Sequence, residues 1–502
     1  MSNSVIQRMH AFEAREALSA GRMTAQALLE AAIDQVRRLN PAVNALVIDN
    51  FAQALECAKT LDKQALSAQE QAALHGLPVA IKDIQGIAGL PTTWGSPELE
   101  NALASEDSPI VARIRRAGGV LLGKTNVPEK SIGANTVNPL FGATGNPYAP
   151  ELTCGGSSGG SAVAVATAMA MLATGSDHGG SLRIPACFSG VVGMRPTPGM
   201  VPNEQRNFPH TNYAVQGPMA RCVRDVALLL SVIAERDENS KQDPMVFPFD
   251  SSVFANPAPA ELRGLRVGYT EDLGGVTVSQ AVRSEFRNRV ELLRPLVASC
   301  TPCTLDLSRA PAADWHLRQE LFAAAYAHEA HTWTKAVNPN VRATYESAIA
   351  TPMQDIAAAK KLQLELTRHM AEVSADFDVV IAPGVSIPPF PWRQLNPTHI
   401  DGKKVETYMA WLELTAALTV VGHPVIALPC GLDAQGLPFG IQVIGAMYQD
   451  LELLSNAIAL EGAFAQDERL RAPTPDEAWL ADQDAGCRTD GRRVQANFTG
   501  RG

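Results

Sequence analysis

The spacing of apolar residues along the chain predicts its secondary structure. From residue 5 to about residue 60, apolar side chains recur with a spacing near 3.6, most clearly between Ala11 and Leu39, which predicts helices. From Val79 to Gly217, short runs of β-branched residues alternate with alanine-rich stretches. Strands that alternate with helices are typical of a sheet covered by helices, so we expect an α/β fold.

The same pattern returns in the second half of the chain. Leu265–Gly268 and Val379–Ala382 are short apolar runs that predict strands, and Ser279–Val297 and Ala312–Ala371 have helical spacing. A chain of 502 residues is longer than most single domains. Because strands lie on both sides of the long helical stretch, we nevertheless expect one core.

Two serines in glycine turns are the first candidates for chemistry. Gly155–Ser161 reads Gly-Gly-Ser-Ser-Gly-Gly-Ser, and Gly179–Ser181 follows, with Ser181 twenty-four residues after Ser157. Glycine lets backbone N–H groups approach a ligand closely, so such turns can present a hydroxyl and an oxyanion hole together. A flexible linker is disfavoured because Ala162–Ala173 predicts a buried helix directly afterwards.

A serine nucleophile needs a base, and two arrangements are open. Residues around Ser157 fit the G-x-S-x-G elbow of α/β-hydrolases, with Ser157 as nucleophile and a later Asp and His. However, the preceding Asn146–Cys154 contains two prolines and predicts a loop instead of a strand, and no downstream histidine stands in a recognisable motif. Lys82 ends the apolar run Gly76–Ile81, and a lysine at the edge of a core can lose its proton through desolvation.

The motifs together resemble the amidase signature family. The resemblance rests on Lys82 after Gly-Leu-Pro-Val-Ala-Ile, on the glycine-serine run, and on Asp177-His-Gly-Gly-Ser-Leu-Arg-Ile-Pro-Ala186. Weaker matches lie at Gly123–Asn126, Phe141–Pro147, Gly190–Thr197, Gly217–Arg221, Gly422–Pro429 and Leu437–Gly445. The resemblance covers most of residues 5 to 465 and implies the amidase signature fold, a central mixed β-sheet surrounded by helices.

Apolar spacing, composition and the resemblance together predict how the chain is divided. We expect an N-terminal helical segment at 1–60 from its apolar spacing, a catalytic domain at 61–470 from the motifs, and a mobile C-terminal tail at 471–502 from its polar composition. Within the catalytic domain, the region at about 240–400 has few motifs and is expected to be variable and to shape the pocket.

Carried over by motif position, the family's Ser-cisSer-Lys triad is Ser181 as nucleophile, Ser157 as bridging acid and base, and Lys82 as base. The peptide bond between Gly156 and Ser157 would be cis. Ser181 would attack the carbonyl carbon, Ser157 would return the proton to the leaving nitrogen, and water would hydrolyse the acyl-enzyme.

Further residues are implied to support this triad. Backbone N–H groups of four consecutive residues would form the oxyanion hole, namely His178, Gly179, Gly180 and Ser181. Three side chains would hold the loops, namely Ser158, Asp177 and Arg183. The chain departs from the usual family wording at His178, where Thr or Ile is common, and at Cys154, where Pro is common, but neither change removes a triad group.

The predicted activity is cleavage of the C–N bond of a small amide by a serine amidohydrolase. Carbamates such as urethanes, and esters, present a carbonyl to the same serine and stay open as substrates. A glutaminase subunit of an amidotransferase complex is a second interpretation, because it shares the motifs. A binding protein that kept the fold is a third, which the intact triad disfavours.

Composition narrows the class of protein and its partners. A formal net charge of -10 excludes a nucleic-acid partner, and the apolar runs are shorter than the roughly 20 residues that span a bilayer. Eight scattered cysteines and an N-terminus, Met1–Arg8, without a secretory pattern predict a cytoplasmic enzyme with reduced thiols. The expected partner is a small-molecule amide or carbamate, with no cofactor and no metal, and a homodimer is left open.

Four motifs are set aside. Gly118–Thr125 fits a P-loop, but a helix precedes it and an apolar strand lies inside it. Cys300 and Cys303 form a C-x-x-C without a second pair, which we interpret as a strand edge. His328 and His331 are on a predicted helix, Leu321–Lys335, but do not complete a zinc motif. The glycosylation pattern at Asn497 has no secretory context.

Overall fold

The computed structural model describes residues 6, 8–64, 72–204, 206–328, 330–333, 337–405, 407–492 and 494. The strands are β1 (Leu46–Asp49), β2 (Pro78–Lys82), β3 (Val120–Thr125), β4 (Val137–Asn138), β5 (Gly142–Ala143), β6 (Gly145–Asn146), β7 (Ala149–Thr153), β8 (Leu172–Asp177), β9 (Val192–Arg195), β10 (Val215–Ala220), β11 (Arg266–Tyr269), β12 (Ser299–Pro302), β13 (Val379–Pro383), β14 (His399–Ile400), β15 (Lys403–Lys404), β16 (Val425–Leu432) and β17 (Pro438–Ile444).

The helices are α1 (Ala11–Ser19), α2 (Ala25–Val43), α3 (Phe51–Asp62), α4 (Pro109–Arg116), α5 (Gly159–Ala166), α6 (Arg183–Ser189), α7 (Val223–Ile233), α8 (Gln280–Leu293), α9 (Ala310–Tyr326), α10 (Pro339–Ala350), α11 (Met353–Ser374), α12 (Glu413–Val421), α13 (Asp450–Phe464) and α14 (Glu477–Ala481). Short 3₁₀ turns lie at Pro97–Leu99, Glu129–Ser131, Glu238–Gln242, Ser251–Phe254, Leu262–Gly264, Arg294–Leu296, Ala330–Thr332 and Ala410–Leu412.

The predicted α/β fold is confirmed by a mixed central sheet of 11 strands in the order β1-β3-β2-β8-β10-β9-β16-β17-β13-β11-β12. Strand β2 runs parallel to β3 and β8, and β11 runs parallel to β12 and β13, whereas the other neighbours are antiparallel. Every residue of β2, β3, β13 and β17 is buried, which explains why most of their side chains are apolar.

Helices α5 and α6 form the inner layer beside the sheet. Both are buried at every residue. Helix α5 contacts β2, β3, β8 and β10, and α6 contacts β9, β16 and β17. The small side chains of α5 allow its backbone to lie close to the strands, and this places the loops that precede α5 and α6 at the same part of the sheet.

Some boundaries differ from the predictions. Strand β1 lies inside the segment 1–60 that was predicted to be helical. The helix predicted at Ala162–Ala173 ends at Ala166, because Ala168 adopts a left-handed conformation with φ of 54°, and β8 then begins at Leu172. Helix α9 starts before the predicted Leu321 and ends at Tyr326, so His328 and His331 lie beyond it.

Two of the set-aside motifs and the tail have ordinary structural roles. Lys124, in the sequence that fits a P-loop, is buried in β3 and pairs with Asp83 at 3.2 Å. Cys300 lies on the edge strand β12, as predicted. In the tail, Leu480 and Cys487 are buried, so the described part packs against the protein and differs from the predicted mobile segment. Asn497 lies outside the described residues.

No helix in the described part of the chain has the length and apolarity needed to cross a bilayer.

Candidate active site

Adjacent parallel strands bring the first candidates together. Lys82 is the last residue of β2, and Asp177 is the last residue of β8. The strands pair in register, with Val79 opposite Leu172, so both carboxyl ends lie at one edge of the sheet. The backbone N–H of Lys82 also donates to Thr174 Oγ1 at 3.0 Å, which fixes the end of β2 against β8.

The Lys82 amine is buried among hydroxyl groups. Its Nζ lies 2.7 Å from Ser157 Oγ, 3.0 Å from Ser158 Oγ and 2.8 Å from Ser176 Oγ, and its side chain is inaccessible to solvent. Burial lowers the pKa of Lys82 to about 7, and the negative charge of Asp177 only partly opposes this. A substantial fraction of Lys82 is therefore a neutral amine near neutral pH.

The loop before α5 presents Ser157. Its peptide bond with Gly156 is cis, as the resemblance implied. At Gly159 a Cβ atom would overlap Thr136 Oγ1, and at Gly160 it would overlap the backbone nitrogen of Asn126. The glycines of the motif are therefore needed for close packing of this loop beneath the site.

Ser158 connects the two serine loops. Its backbone N–H donates to the carbonyl oxygen of Ser181 at 3.2 Å, and its Oγ lies within 3.2 Å of both the backbone nitrogen and the carbonyl oxygen of Ser176. Together with its contact to Lys82, this placement supports the predicted role of Ser158 as a residue that holds the loops.

The backbone after β8 forms a turn with exposed donors. The Gly180 N–H donates to Asp177 Oδ1 at 2.8 Å, and the Leu182 N–H donates to Asp177 Oδ2 at 3.2 Å. The N–H groups of His178, Gly179 and Ser181 donate to no acceptor among the described residues. Of the four donors predicted for an oxyanion hole, Gly180 is a correction, because its N–H is already used within the turn, and the other three are not engaged within the described chain.

Asp177 anchors this turn through two buried arginines. Its carboxylate accepts from Arg183 Nε and Nη2, both at 3.0 Å, and from Arg195 Nη1 at 3.3 Å. Burial alone would raise the pKa of Asp177, but the two guanidinium groups hold it well below its usual range. Arg183 also donates to Gln442 Oε1 at 2.8 Å, which joins the turn to β17.

Two glycines of the turn have no room for a side chain. At Gly179 a Cβ atom would overlap Arg318 Nη2, and at Gly180, where φ is +126°, it would overlap Thr415 Oγ1. Thr415 Oγ1 also donates to the Gly179 carbonyl oxygen at 2.7 Å. The turn is therefore held on both sides by packed polar groups.

A cavity of about 410 Å³ opens over the two serine loops. Ser157, Ser176, Ser181, His178 and Gly179 line it on one side. Much of the remaining lining is apolar or aromatic and includes Ile132, Ile184, Leu321, Phe322, Tyr326 and Tyr408. This combination of a few polar groups with an apolar wall is typical of a small-molecule site.

His178 packs in this cavity. Its ring lies 4.7 Å from the Tyr213 ring and 6.2 Å from the Phe322 ring, measured between centroids. Burial and the nearby charges of Arg318 and Arg195 hold the pKa of His178 well below its usual value. His178 is therefore neutral. Among the described residues, it makes no hydrogen bond to Ser157.

Three polar residues of the site were missed by sequence reasoning. Ser131 Oγ donates to Ser157 Oγ at 2.8 Å, and Ser176 contacts Lys82. Arg318 lines the cavity from α9. Ser131 and Arg318 belong to none of the matched motifs, and Ser176 lies just outside one, so only the fold brings them to the site.

The α/β-hydrolase alternative is wrong for this fold. The segment Asn146–Cys154 was predicted to be a loop but contains strand β7. Strand β7 pairs with β6 in a small separate sheet and is not part of the central sheet. Among the described residues, the side-chain partners of Ser157 are Lys82 and Ser131, and no histidine hydrogen-bonds to it. An elbow would need both features.

One cluster with metal-ligand chemistry lies elsewhere in the described residues, at His10, Cys222 and Asp225. The Asp225 carboxylate accepts the N–H groups of Ala11 at 2.8 Å and Phe12 at 2.9 Å, so it caps α1. Burial raises the pKa of the Cys222 thiol well above its usual value, which disfavours the thiolate that binds metals. The cluster is explained by helix capping.

Comparison with known proteins gives a consistent family. A family model described as Amidase matches residues 27–454. The acylamidase of Rhodococcus erythropolis is 30% identical over 466 residues, which cover 92% of this chain and 96% of that protein. A glutamyl-tRNA(Gln) amidotransferase subunit of Acidothermus cellulolyticus is 31% identical over 490 residues, which cover 91% of this chain and 95% of that protein.

Among solved structures, a bacterial aryl acylamidase of the amidase signature family matches with a TM-score of 0.80 and 24% identity, covering 98% of this chain and 99% of that chain. This likeness confirms the expected fold. The family match extends over most of the sequence and includes both serine loops and β8. The chain therefore belongs to the amidase signature family, whose members are hydrolases that act on amides.

Proposed function

We propose that this protein is a serine amidohydrolase that cleaves the C–N bond of a small amide through an acyl-enzyme. Ser181 is the nucleophile, Ser157 the bridging acid and base, and Lys82 the base. The observation that carries the proposal is the 2.7 Å contact between Lys82 Nζ and Ser157 Oγ in a buried site. No carboxylate of a described residue pairs with this amine, so burial favours its neutral form.

The hydrogen-bonding capacity of Ser157 supports proton transfer from Ser157 to Lys82. A hydroxyl has one donor and two acceptor positions. When Lys82 is neutral, its nitrogen accepts a hydrogen bond from the Ser157 hydroxyl, so both lone pairs of Ser157 Oγ are available to other donors. One accepts from Ser131 at 2.8 Å, and the other is available to the Ser181 hydroxyl. When Lys82 is protonated, it occupies one of these positions itself, so only the neutral form prepares Ser157 to activate Ser181.

Catalysis then follows from the same groups. As Ser181 attacks the carbonyl carbon, its proton passes to Ser157, and the Ser157 proton passes to Lys82. The N–H groups of His178, Gly179 and Ser181 stabilise the negative oxygen of the tetrahedral intermediate. Ser157 returns a proton to the leaving nitrogen, which departs as a neutral amine, and water hydrolyses the acyl-enzyme by the same relay.

The first test is covalent labelling of purified protein with a fluorophosphonate, followed by intact mass and peptide mapping. We expect one adduct, located on Ser181, in the wild type, none in Ser181→Ala, and slow labelling of Ser181 in Ser157→Ala. Label on Ser157 in the wild type would contradict the assignment. Carbamates such as urethanes, and esters, belong in the substrate panel beside amides, because they present the same carbonyl to Ser181.

A second function is favoured by the 31% identity to a glutamyl-tRNA(Gln) amidotransferase subunit. In that case the chain would hydrolyse glutamine to supply ammonia to a partner. Assay of the purified chain alone separates the two functions. Turnover of simple amides without a partner supports the self-sufficient amidase, whereas glutaminase activity that appears only on addition of other subunits supports the amidotransferase.

A further inference from the structure

The proposed relay does not use Arg318, although this residue lines the cavity. Arg318 lies on α9, is 6% exposed, and donates from Nε to Asp314 Oδ2 at 2.7 Å. The Tyr213 hydroxyl donates to the other oxygen of Asp314, also at 2.7 Å. Asp314 therefore holds Arg318 in place from behind and keeps it charged despite its burial.

Most of the donors of Arg318 are uncommitted. A guanidinium has five N–H groups. The four on Nη1 and Nη2 have no acceptor among the described residues, and Arg318 lines the cavity. A buried cation with four unused donors is costly to maintain unless a ligand uses them.

The position of the guanidinium limits where the ligand group lies. A Cβ atom at Gly179 would overlap Arg318 Nη2, so the guanidinium is in contact with the turn that carries the oxyanion donors and Ser181. A substrate carbonyl held at Ser181 is therefore close to Arg318. A group that reaches Nη1 and Nη2 must be attached a few bonds from that carbonyl.

The charges of the cavity wall indicate the sign of this group. Arg206, which also lines the cavity, is paired with Asp243 at 3.0 Å. Among the lining residues that the structure describes, the acidic one is Glu204, which is paired with Arg113. His178 Nε2 is a further buried atom without a partner in the described chain. The wall offers donors and positive charge, which suits an anion.

We propose that Arg318 binds a carboxylate of the substrate, so the preferred substrates are amides that carry a carboxylate a few bonds from the scissile carbonyl. The inference rests on the proposed amidase function. The two Nη groups present parallel N–H bonds that match the two oxygens of a carboxylate, an arrangement that point charges such as lysine do not offer. The carboxylate belongs to either the acyl or the amine half, and the test distinguishes these.

The test compares kcat/KM within two pairs of amides at pH 8. The acyl pair is the succinic acid mono-4-nitroanilide and the neutral butyric acid 4-nitroanilide. The amine pair is the butyric amide of 4-aminobutyrate and the butyric amide of butylamine. In the wild type we expect the charged member of one pair to be favoured roughly 10- to 100-fold, as for hydrogen bonds to a charged group.

For each variant the readout is the ratio of kcat/KM between the charged and the neutral amide of a pair, and not the absolute rate. Arg318→Met alone leaves Asp314 buried without its cation, so Arg318→Met combined with Asp314→Asn is the second variant, in which the amide oxygen still accepts from Tyr213. Both should reduce the ratio to about one. Arg206→Gln removes a cavity-lining arginine whose donors are already used, and it should keep the wild-type ratio.

A wild-type ratio near one in both pairs overturns the inference, and so does a ratio that survives loss of Arg318. Fluorophosphonate labelling of Ser181 separates this failure from failure of the proposed function. If Ser181 is labelled but the charged amides are not favoured, the inference fails and the amidase function stands. If Ser181 is not labelled, both fail.

Discussion

The protonation state of Lys82 sets the pH range in which the proposed enzyme works. Lys82 is fully buried, and its pKa falls from 10.5 to about 7 because burial penalises the charged amine. At about 1.4 kcal/mol per tenfold change in an equilibrium, this corresponds to roughly 5 kcal/mol against the charged form. About half of Lys82 is neutral at pH 7, compared with about one molecule in 3,000 for an ordinary lysine.

The assay measures kcat/KM from pH 5 to pH 9. The substrate is a neutral amide, because such a substrate does not titrate in this range. Since the neutral amine is the base, the rate should rise about tenfold per pH unit below pH 7 and become level above it, with a midpoint near the pKa of about 7. Lys82→Ala should lose about four or more orders of magnitude and show no acidic limb of this kind.

Lys124 provides a matched control for this experiment. It is also a buried lysine at the end of a neighbouring strand, but it pairs with Asp83 at 3.2 Å and donates to the Gln85 carbonyl oxygen at 2.6 Å. Lys124→Met should lower thermal stability without moving the midpoint of the pH profile. An unchanged acidic limb in Lys82→Ala, or a flat wild-type profile between pH 5.5 and 8.5, would refute the assignment of Lys82 as base.

Three further substitutions test the surrounding structure. Ser131→Ala removes a donor to the bridging serine and should lower kcat about tenfold, with the pH midpoint unmoved and the melting temperature near that of the wild type. Gly180→Ala adds a methyl group that overlaps Thr415 Oγ1, at a φ of +126°. Steady-state assays should show at least a hundredfold loss of activity, and calorimetry should show a lower Tm. A well-folded, active variant would contradict this packing. Arg183→Met leaves Asp177 with one cation, Arg195. Chemical denaturation should show that the free energy of unfolding falls by about 3–5 kcal/mol. A fall of less than about 1 kcal/mol would show that the Arg183–Asp177 pair is not needed for stability.

The alternation of apolar runs along the chain was sufficient to predict the α/β class, and the resemblance to the amidase signature family implied the cis bond before Ser157. Short local motifs singled out Lys82, Ser157 and Ser181, and the structure brings Lys82 and Ser157 into contact. The sequence was not sufficient for the hydrogen-bonding partners. That Ser131 reaches Ser157 depends on a 3₁₀ turn in which Ser131 adopts a φ of 58°, and no local pattern indicates this.

The remaining differences also have physical causes. The Gly180 N–H was assigned to the oxyanion hole because it lies in the motif, but the conformation of the turn directs it to Asp177. Arg318 lies in the region with few motifs, and its spacing from Asp314 on α9 indicates an ordinary helical ion pair. Its burial and its place beside Gly179 come from the packing of α9 over the serine loops, which sequence spacing does not report.

The parallel pairing of β2 with β8 has a consequence for how the protein acquires activity. Val79 and Leu172 lie opposite each other although more than ninety residues separate them in the chain, and β3 and α5 are among the elements formed by the intervening sequence. Contacts between distant segments form late, since the loop between them must close first. The amine and the serine loops therefore meet only when this half of the sheet is assembled. Enzymatic activity therefore requires that this half of the sheet is assembled, and a fragment that ends before β8 should be inactive however well its helices form.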